Sequence, residues 1–366
     1  MSKKINKILF VGFGLSAPRK EAVSINAIEF SKHLKNKAIS SSIYNIGYST
    51  RSRKDSFLEM VLSVFNIFAI QADIIKTVKR RKITHIYDTF VLPGASLIFI
   101  ARLKRLLPSV TFIKELQNDV GFSHKFSLET LIRFFLNAKW QVKIIFKIYD
   151  KVIARNLHIA KTYRATYIPP LVKILKLKRD RKNTSFLKIC FLGHSLPKKG
   201  INEFGYLFKI LPDDLKTKIS FNLALNNIGH RAKVKRKLFD IAKINKINVS
   251  FFENVNPQSF FRNQDILFLP LEDEFSSAAS LNTVLEAMEA GCMVVTTSTK
   301  VSKAIVTDKE NGILLLKPTA KVILKIIKEI FLKRINISII KRKARAYIVK
   351  NYSKNLVYDL LKQIYV

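Results

Sequence analysis

The chain has 366 residues and a formal net charge of +39, because 65 Lys and Arg residues stand against 26 Asp and Glu residues. A hydrophobic content of 48%, with 27 Phe, excludes a disordered chain, and a content of only 11 Gly and 10 Pro excludes collagen-like and low-complexity classes. The 2 Cys residues exclude a disulfide scaffold and a cysteine-based zinc site, and they fit a reducing compartment. The length fits about two domains that each bury a core.

Short apolar runs alternate with helical patterns along the chain, which is typical of parallel α/β units. In the first half, the predicted strands are Lys7–Val11, Ser41–Ile46, His85–Tyr87, Val110–Lys114 and Lys151–Ala154, and the predicted helices are Ser24–Leu34 and Leu92–Leu107. In the second half, the predicted strands are Phe186–Leu192, Ser220–Leu225, Asn248–Phe252, Ile266–Leu269 and Met293–Thr297. The two series predict two successive doubly wound units.

The two series separate at Pro169 and Pro170, because a proline pair stops regular structure. The segment that follows, Lys173–Lys182, is rich in Lys and Arg, which predicts an exposed linker. We therefore predict an N-terminal domain over residues 1–168, a linker over 169–182 and a C-terminal domain over 183–349.

The N-terminus carries the apolar run Ile8–Gly12, which is too short for a signal peptide and has the length of a buried strand. No stretch reaches the roughly 18 apolar residues of a membrane span. The best attempt, Met60–Ile70, is interrupted by Ser63 and Asn66. We therefore expect a cytoplasmic protein.

The most informative segment is Ser280–Val295, which follows a predicted strand and predicts a helix and then a second strand. A helix N-terminus at the carboxyl end of a parallel sheet suits a phosphate, through its free N–H groups and its dipole. Glu286 lies one to two turns inside this helix, where a carboxylate can accept hydrogen bonds from two ribose hydroxyls. The same pattern also fits an ordinary capped helix in which Glu286 only complements the dipole.

The segment Leu285–Gly291, followed by Val294 and Val295, resembles the donor-site signature of the retaining, Leloir-type family-4 glycosyltransferases of the GT-B fold. The resemblance extends along most of the chain. Gly193–Gly200 resembles the family's diphosphate-binding loop, and Val306–Leu314 resembles its late turn near the donor.

The resemblance implies two Rossmann-like α/β domains that face a cleft, with a C-terminal helix, about residues 350–366, crossing back to the first domain. It implies metal-independent, hexosyl-type transfer with retention, from a nucleotide-sugar to a polysaccharide or lipid-linked saccharide such as lipopolysaccharide or capsule. The nucleotide-sugar is a substrate, and no cofactor is expected. None of the 6 His residues is spaced by four from another, and no metal site is predicted.

The resemblance also assigns roles in the second domain. Lys199 neutralises the donor diphosphate in the loop that begins at Gly193 and His194, and Glu286 holds the nucleotide ribose. The residues whose backbone N–H groups hold the distal phosphate and the sugar are Leu281, Asn282 and Thr283.

Two positions depart from the family pattern. His194 stands where the family has an Arg, and Ala278 stands where it has the first Glu of an E-x7-E pair that ends at Glu286. The acidic residues just upstream that could substitute are Glu272, Asp273 and Glu274. Two alternatives to the glycosyltransferase therefore stay open. The first is a GT-B-fold epimerase or a catalytically weak binding relative, and the second is a basic nucleic-acid-binding protein. Charge alone supports the second, since no nucleic-acid-reading motif is present, and no nucleic-acid partner is expected.

The first domain is expected to hold the acceptor, and its candidate residues follow predicted strands. Gly12 and Gly14 lie in a loop that resembles the family's flexible loop, and Asp88 ends the third strand region. Glu115 and Asp119 follow the fourth strand, where family members carry a His or carboxylate that faces the sugar, and they are the catalytic candidates beside Lys199. Each is also a residue type common in caps and turns.

The segment 127–149 predicts a long helix with a basic stripe at Lys139, Lys143 and Lys147, continued by Lys151. Its large apolar residues include Trp140, and such a combination is typical of a helix on an anionic membrane surface. We predict peripheral docking on the inner face of the plasma membrane. The alternative is a half-buried core helix with a solvated lysine edge.

Overall fold

The computed structural model describes residues 6–12, 31, 40–45, 66–90, 93–116, 139–175, 186–229, 231–272 and 281–365. It divides into two compact units. Unit 1 comprises Met1–Pro170 together with Val357–Val366, and unit 2 comprises Leu171–Leu356.

Unit 1 is a parallel sheet whose strands alternate with helices. The elements in chain order are β1 (Lys7–Gly12), β2 (Ser40–Asn45), α1 (Ile67–Arg81), β3 (His85–Asp88), α2 (Pro93–Leu106), β4 (Thr111–Leu116), α3 (Lys139–Ile148), β5 (Lys151–Ala154), α4 (Leu157–Tyr163) and β6 (Thr166–Tyr167). The strand order is β2-β1-β3-β4-β5-β6, and every pairing is parallel. Strands β1, β3 and β4 are almost wholly buried, as expected for a parallel sheet covered by helices.

Unit 2 repeats this architecture. Its elements are β7 (Leu187–Ser195), a 3₁₀ turn (Pro197–Lys199), α5 (Asn202–Ile210), α6 (Asp213–Lys216), β8 (Ile219–Gly229), α7 (Arg231–Ile244), β9 (Val249–Phe252), α8 (Pro257–Phe261), β10 (Ile266–Leu269), α9 (Leu281–Glu289), β11 (Met293–Thr297), α10 (Lys300–Lys303), β12 (Ile313–Leu315), α11 (Ala320–Phe331) and α12 (Ile337–Tyr352). The strand order is β12-β11-β10-β7-β8-β9, again parallel throughout.

The last helix, α13 (Lys354–Tyr365), returns to unit 1, as the sequence predicted. Helix α12 ends at Tyr352. The backbone of Ser353 is extended, and α13 starts directly after it. The side chain of Asn6 donates to the backbone carbonyl of Tyr365, and Lys151 donates to that of Ile364. These bonds satisfy carbonyls that a helix C-terminus leaves without internal partners, so they fasten α13 to unit 1.

The predicted elements agree with this fold at most positions. The strands predicted at Lys151–Ala154, Ile266–Leu269 and Met293–Thr297 have the observed bounds. The predicted turn Gly193–Gly200 starts later than expected, because β7 runs on to Ser195. The short strands β6 and β12 were not predicted, and of the helix predicted at 24–34 only Ser31 is described.

Among the described residues, no helix is both long and apolar enough to cross a membrane.

Candidate functional site

The loop that follows β7 forms a tight turn around Lys199. After Ser195, the backbone N–H of Lys199 donates to the carbonyl of Leu196 at 2.9 Å, and that of Gly200 donates to Pro197 at 2.7 Å. Gly200 adopts φ +77°, a left-handed conformation that disfavours other residues. Lys199 is buried in this turn, whereas its neighbour Lys198 is exposed.

The same turn packs against the carboxyl end of β10. A Cβ atom on Gly200 would lie only 1.9 Å from the carbonyl oxygen of Pro270, so no side chain fits there. The N–H of Glu272 donates to the carbonyl of Lys198 at 3.1 Å. The loops after β7 and β10 therefore touch at the carboxyl edge of the sheet, where open α/β sheets bind ligands.

Helix α9 follows β10 and carries Glu286 in its second turn. Burial raises the pKa of the Glu286 carboxyl from 4.5 to about 7, and the nearby Glu289 carboxylate adds to the rise. The start of α9 contains Asn282 and Thr283, both half-buried. The backbone of Leu281 begins the helix, and residues 273–280, which include Ala278, lie outside the described residues.

Glu289 is held in a buried clamp that the sequence did not predict. Its Oε1 accepts from Arg345 Nη1 at 3.0 Å and from the backbone N–H of Leu175 at 2.9 Å. Arg345 also donates to the carbonyl of Leu175 at 2.7 Å. The clamp fixes the end of α9 to α12 and to the segment that enters unit 2, and it thereby supports the helix that bears Glu286.

Gly193 and His194 lie within β7, just before its last residue Ser195, and both are half-buried. The side chain of Asn311 stabilises the late turn, Val306–Leu314. It accepts from the N–H of Thr307 at 2.7 Å and donates to the carbonyl of Ile305 at 3.1 Å. A Cβ atom on Gly312 would lie 2.7 Å from Val306, which explains the glycine.

In unit 1, Asp88 is fully buried at the end of β3. Its carboxylate accepts from the ammonium of Lys114 at 3.3 Å, from the backbone N–H of Phe90 at 2.7 Å and from the hydroxyl of Tyr149. Burial lowers the pKa of Lys114, and the Asp88 carboxylate opposes that change. Strand-end position was the sequence signal for Asp88, but nothing in the sequence indicated its partners.

Glu115 lies on β4 beside Asp88's partner Lys114 but belongs to a second buried cluster. Arg155 pairs with its carboxylate at 3.2 Å, and the hydroxyl of Tyr87 also donates to it. Arg155 further donates to the hydroxyl of Tyr87 at 2.9 Å. Burial raises the pKa of Tyr87, so its hydroxyl stays a donor.

The remaining candidates of unit 1 are placed in part. Gly12 is buried as the last residue of β1, while Gly14 and Asp119 lie outside the described residues. Where the chain is described, no group of three or more His, Cys, Asp or Glu residues could hold a metal ion.

The observed helix α3 carries only part of the predicted basic stripe. Lys143 and Lys147 are exposed on it, but Lys151 lies in β5 and binds the end of α13. Trp140 is 57% exposed, so it does not join the buried side of the helix, where Ile145 packs in the core. The helix therefore presents lysine and aromatic side chains together to solvent.

Residues 174–353 match the family described as "Glycosyl transferases group 1". This segment of the chain is therefore similar to the group 1 glycosyl transferases. This segment contains the turn at Lys199 and the helix of Glu286. No curated protein matches the sequence of the chain.

Solved structures share the fold of the whole chain. A glycosyltransferase from Rickettsia africae ESF-5 has a TM-score of 0.71 at 14% identity, covering 99% of this chain and 98% of that chain. Anabaena Alr3699/HepE in complex with UDP-glucose has a TM-score of 0.70 at 13% identity, covering 98% and 99%. WaaG, a glycosyltransferase involved in lipopolysaccharide biosynthesis, has a TM-score of 0.65 at 13% identity, covering 98% of each chain. The predicted fold class, two doubly wound domains of GT-B type, is confirmed.

Proposed function

We propose that the chain transfers a sugar from a nucleotide-sugar to a saccharide acceptor, and that unit 2 binds the donor. One observation carries the proposal: a glycine-bounded turn that holds Lys199 touches the loop after β10, within the segment that matches the transferase family. The half-buried Glu286 on the next helix supplies a second polar group.

The proposed mechanism assigns one task to each group. As the bond between the sugar and the diphosphate breaks, negative charge grows on the diphosphate, and the Lys199 ammonium stabilises it. Glu286 accepts hydrogen bonds from the ribose hydroxyls in its ionised form. The N–H groups of Leu281, Asn282 and Thr283 bind the distal phosphate and the sugar. Transfer proceeds with retention and without a metal ion or cofactor.

The relatives suggest the first donor and acceptor to test. Because Alr3699/HepE is solved with UDP-glucose, we propose a UDP-hexose donor. Because WaaG takes part in lipopolysaccharide biosynthesis, we propose a lipid-linked or polysaccharide acceptor. Gly12, Gly14 and Asp119 are the proposed acceptor-side residues in unit 1.

We propose that Asp88 and Glu115 stabilise the acceptor side of unit 1, because both carboxylates are buried and paired with cations. In that arrangement they orient strand ends and do not meet the sugar themselves.

We further propose that unit 1 docks on an anionic membrane surface through α1, α2 and α3. Helices α1 and α3 each pack against α2. The three helices expose aromatic and basic side chains, which suits an interfacial surface. They are Phe68, Arg102, Trp140, Lys143, Phe146 and Lys147. The guanidinium of Arg102 lies 4.8 Å from the centroid of the Phe68 ring.

A screen of nucleotides and nucleotide-sugars by thermal shift tests the donor proposal. UDP or a UDP-sugar is expected to raise the melting temperature of the full chain, because a ligand that binds only the folded state stabilises it. Transfer from the stabilising donor to lipopolysaccharide-type acceptors is then measured with and without EDTA. If no nucleotide protects the fold, the proposed function is wrong.

A further inference from the structure

Unit 2 contains a pocket of about 540 Å³, away from the turn at Lys199. It is open to solvent and lies beside the first halves of β7 and β8, where Lys188 and Asn222 contribute to its wall, and residues between Phe252 and Gln264 form the rest of the wall. Lys188 is the second residue of β7, whereas Lys199 follows the other end of that strand. The pocket is therefore separate from the proposed donor site.

Two buried amides form an ordered pair in this pocket. Asn222 donates through Nδ2 to Gln264 Oε1 at 2.8 Å, and Gln264 donates through Nε2 to the carbonyl of Phe260 at 3.3 Å. These bonds fix the orientation of both amides. Asn222 Oδ1 accepts no hydrogen bond from the described residues, and it is not sealed from solvent. An acceptor is thus available to an occupant of the pocket.

An aromatic ring stands beside the amides. Phe252 is 37% exposed and packs edge-to-face on the buried Phe260, with ring centroids 5.4 Å apart. This contact holds the Phe252 ring in place while part of it faces the pocket. The other polar groups around it are uncharged, namely Ser220, Asn256, Ser259 and Asn263.

The charge of the pocket is positive. Lys188 is its one ionisable lining residue, and no Asp or Glu side chain lines it. The backbone N–H of Lys188 binds Asp265, but within the described part of the chain its ammonium forms no ion pair. The ammonium is therefore open to an anionic group.

We propose that this pocket is a second saccharide site, and that it binds a sugar unit bearing an anionic substituent such as a carboxylate. Amides both donate and accept, which matches the hydroxyls of a pyranose ring. The exposed ring of Phe252 offers an apolar surface to the C–H face of the sugar. Lys188 pairs with the anionic group.

Such a site would retain a polymeric saccharide while its end visits the transfer site, because a second contact raises the effective concentration of the chain end. The binding claim does not depend on the donor assignment.

Calorimetric titration of the full chain tests the proposal, in the presence of UDP so that the proposed donor site is occupied. The probes are a tetrasaccharide of alternating glucuronate and N-acetylglucosamine and the uncharged chitotetraose. The acidic tetrasaccharide is expected to bind more tightly, because its carboxylates add a charged contact with Lys188. The expected difference is about tenfold, which corresponds to about 1.4 kcal/mol. Binding of neither probe at millimolar concentration would overturn the proposal.

Matched variants locate the binding. Phe252→Ala and Lys188→Ala are each expected to weaken binding of the acidic probe about tenfold. Phe239→Ala and Lys209→Ala remove exposed residues outside the pocket and are expected to leave it unchanged. Equal effects in both pairs would overturn the assignment.

Hydrogen exchange on the wild-type chain needs no variant. The acidic probe is expected to slow exchange in residues 252–264, and unchanged exchange there would overturn the proposal. A failure of UDP itself to bind would count against the donor site and not against this pocket.

Discussion

Unit 1 places carboxyl groups near the carboxyl ends of its central strands, whereas unit 2 places Glu286 on helix α9, and the two units treat these groups differently. In unit 1, Asp88 is paired with Lys114, and Glu115 is paired with Arg155, all of them buried. In unit 2, Glu286 has no ion-pair partner among the described residues, and its pKa is raised to about 7.

From this difference we infer different roles for the two kinds of carboxyl group. A buried carboxylate that has a cation and hydrogen-bond donors is satisfied and holds the backbone around it. A half-buried carboxyl that lacks a cation and whose pKa is raised is a candidate functional group, and Glu286 is proposed as one on that ground.

The largest expected effect comes from removing a paired charge in unit 1. Arg155→Met leaves the Glu115 carboxylate buried without its cation, so the free energy of unfolding should fall by about 3–5 kcal/mol. Urea denaturation measures this change. Arg105→Met, at an exposed position on α2, is the control and should change it by less than about 0.5 kcal/mol. A loss in Arg155→Met no larger than in the control would contradict the supporting role.

In unit 2, removal of a cation should lower the rate of sugar transfer. Lys199→Ala removes the cation proposed for the diphosphate, so kcat should fall by about 10²–10³-fold, as when one transition-state donor is lost. The measurement is the initial rate of sugar transfer at saturating donor. The exposed neighbour gives the matched variant Lys198→Ala, which should keep nearly the full rate. Similar rates in both variants would remove Lys199 from the mechanism.

The raised pKa of Glu286 should make the stability of the fold depend on pH. The unfolded chain releases this proton near pH 4.5 and the folded chain near pH 7, so the raised pKa destabilises the fold as pH rises between these values. Glu286→Gln should therefore be more stable than wild type at pH 8, by about 1–3 kcal/mol, and not at pH 4.5.

Urea denaturation of wild type and Glu286→Gln at both pH values gives the difference directly. The exposed Glu272→Gln is the control and should show the same small difference at both. A Glu286→Gln difference that does not change with pH would mean that this carboxyl is not held protonated by burial.

The smallest expected effect concerns the membrane surface of unit 1. Lys143→Gln removes one exposed charge, so binding to vesicles with anionic lipid should weaken by about 1 kcal/mol, and less at high salt. Co-sedimentation with vesicles measures this. Lys233→Gln, exposed on α7 of unit 2, should bind like wild type. If both variants bind equally, α3 does not contact lipid.

Local patterns in the sequence predicted much of the fold. Strands β5, β10 and β11 were predicted with their bounds, because each is a short apolar run between clear breaks. The restart of the strand series after Pro170 predicted the second unit. The loop that holds Lys199 was found through the resemblance of Gly193–Gly200 to a diphosphate-binding loop, and Gly193 itself lies within β7.

Partners distant in sequence could not be predicted. Arg155 meets Glu115 across 40 residues, and Arg345 meets Glu289 across 56. Pairings of this kind depend on the order of strands and helices in the folded unit, which no local pattern contains. Hence the strand-end positions of Asp88 and Glu115 were visible in the sequence, whereas the cations that neutralise them were not.

Titration of UDP into four forms of the protein tests the central claim, that Lys199 and Glu286 bind the donor. With wild type as reference, Lys199→Ala and Glu286→Ala should each weaken UDP binding by about tenfold or more, since a charge-assisted hydrogen bond contributes about 1.5–3 kcal/mol. Lys198→Ala should bind as wild type does. Equal dissociation constants in all four forms would contradict the claim.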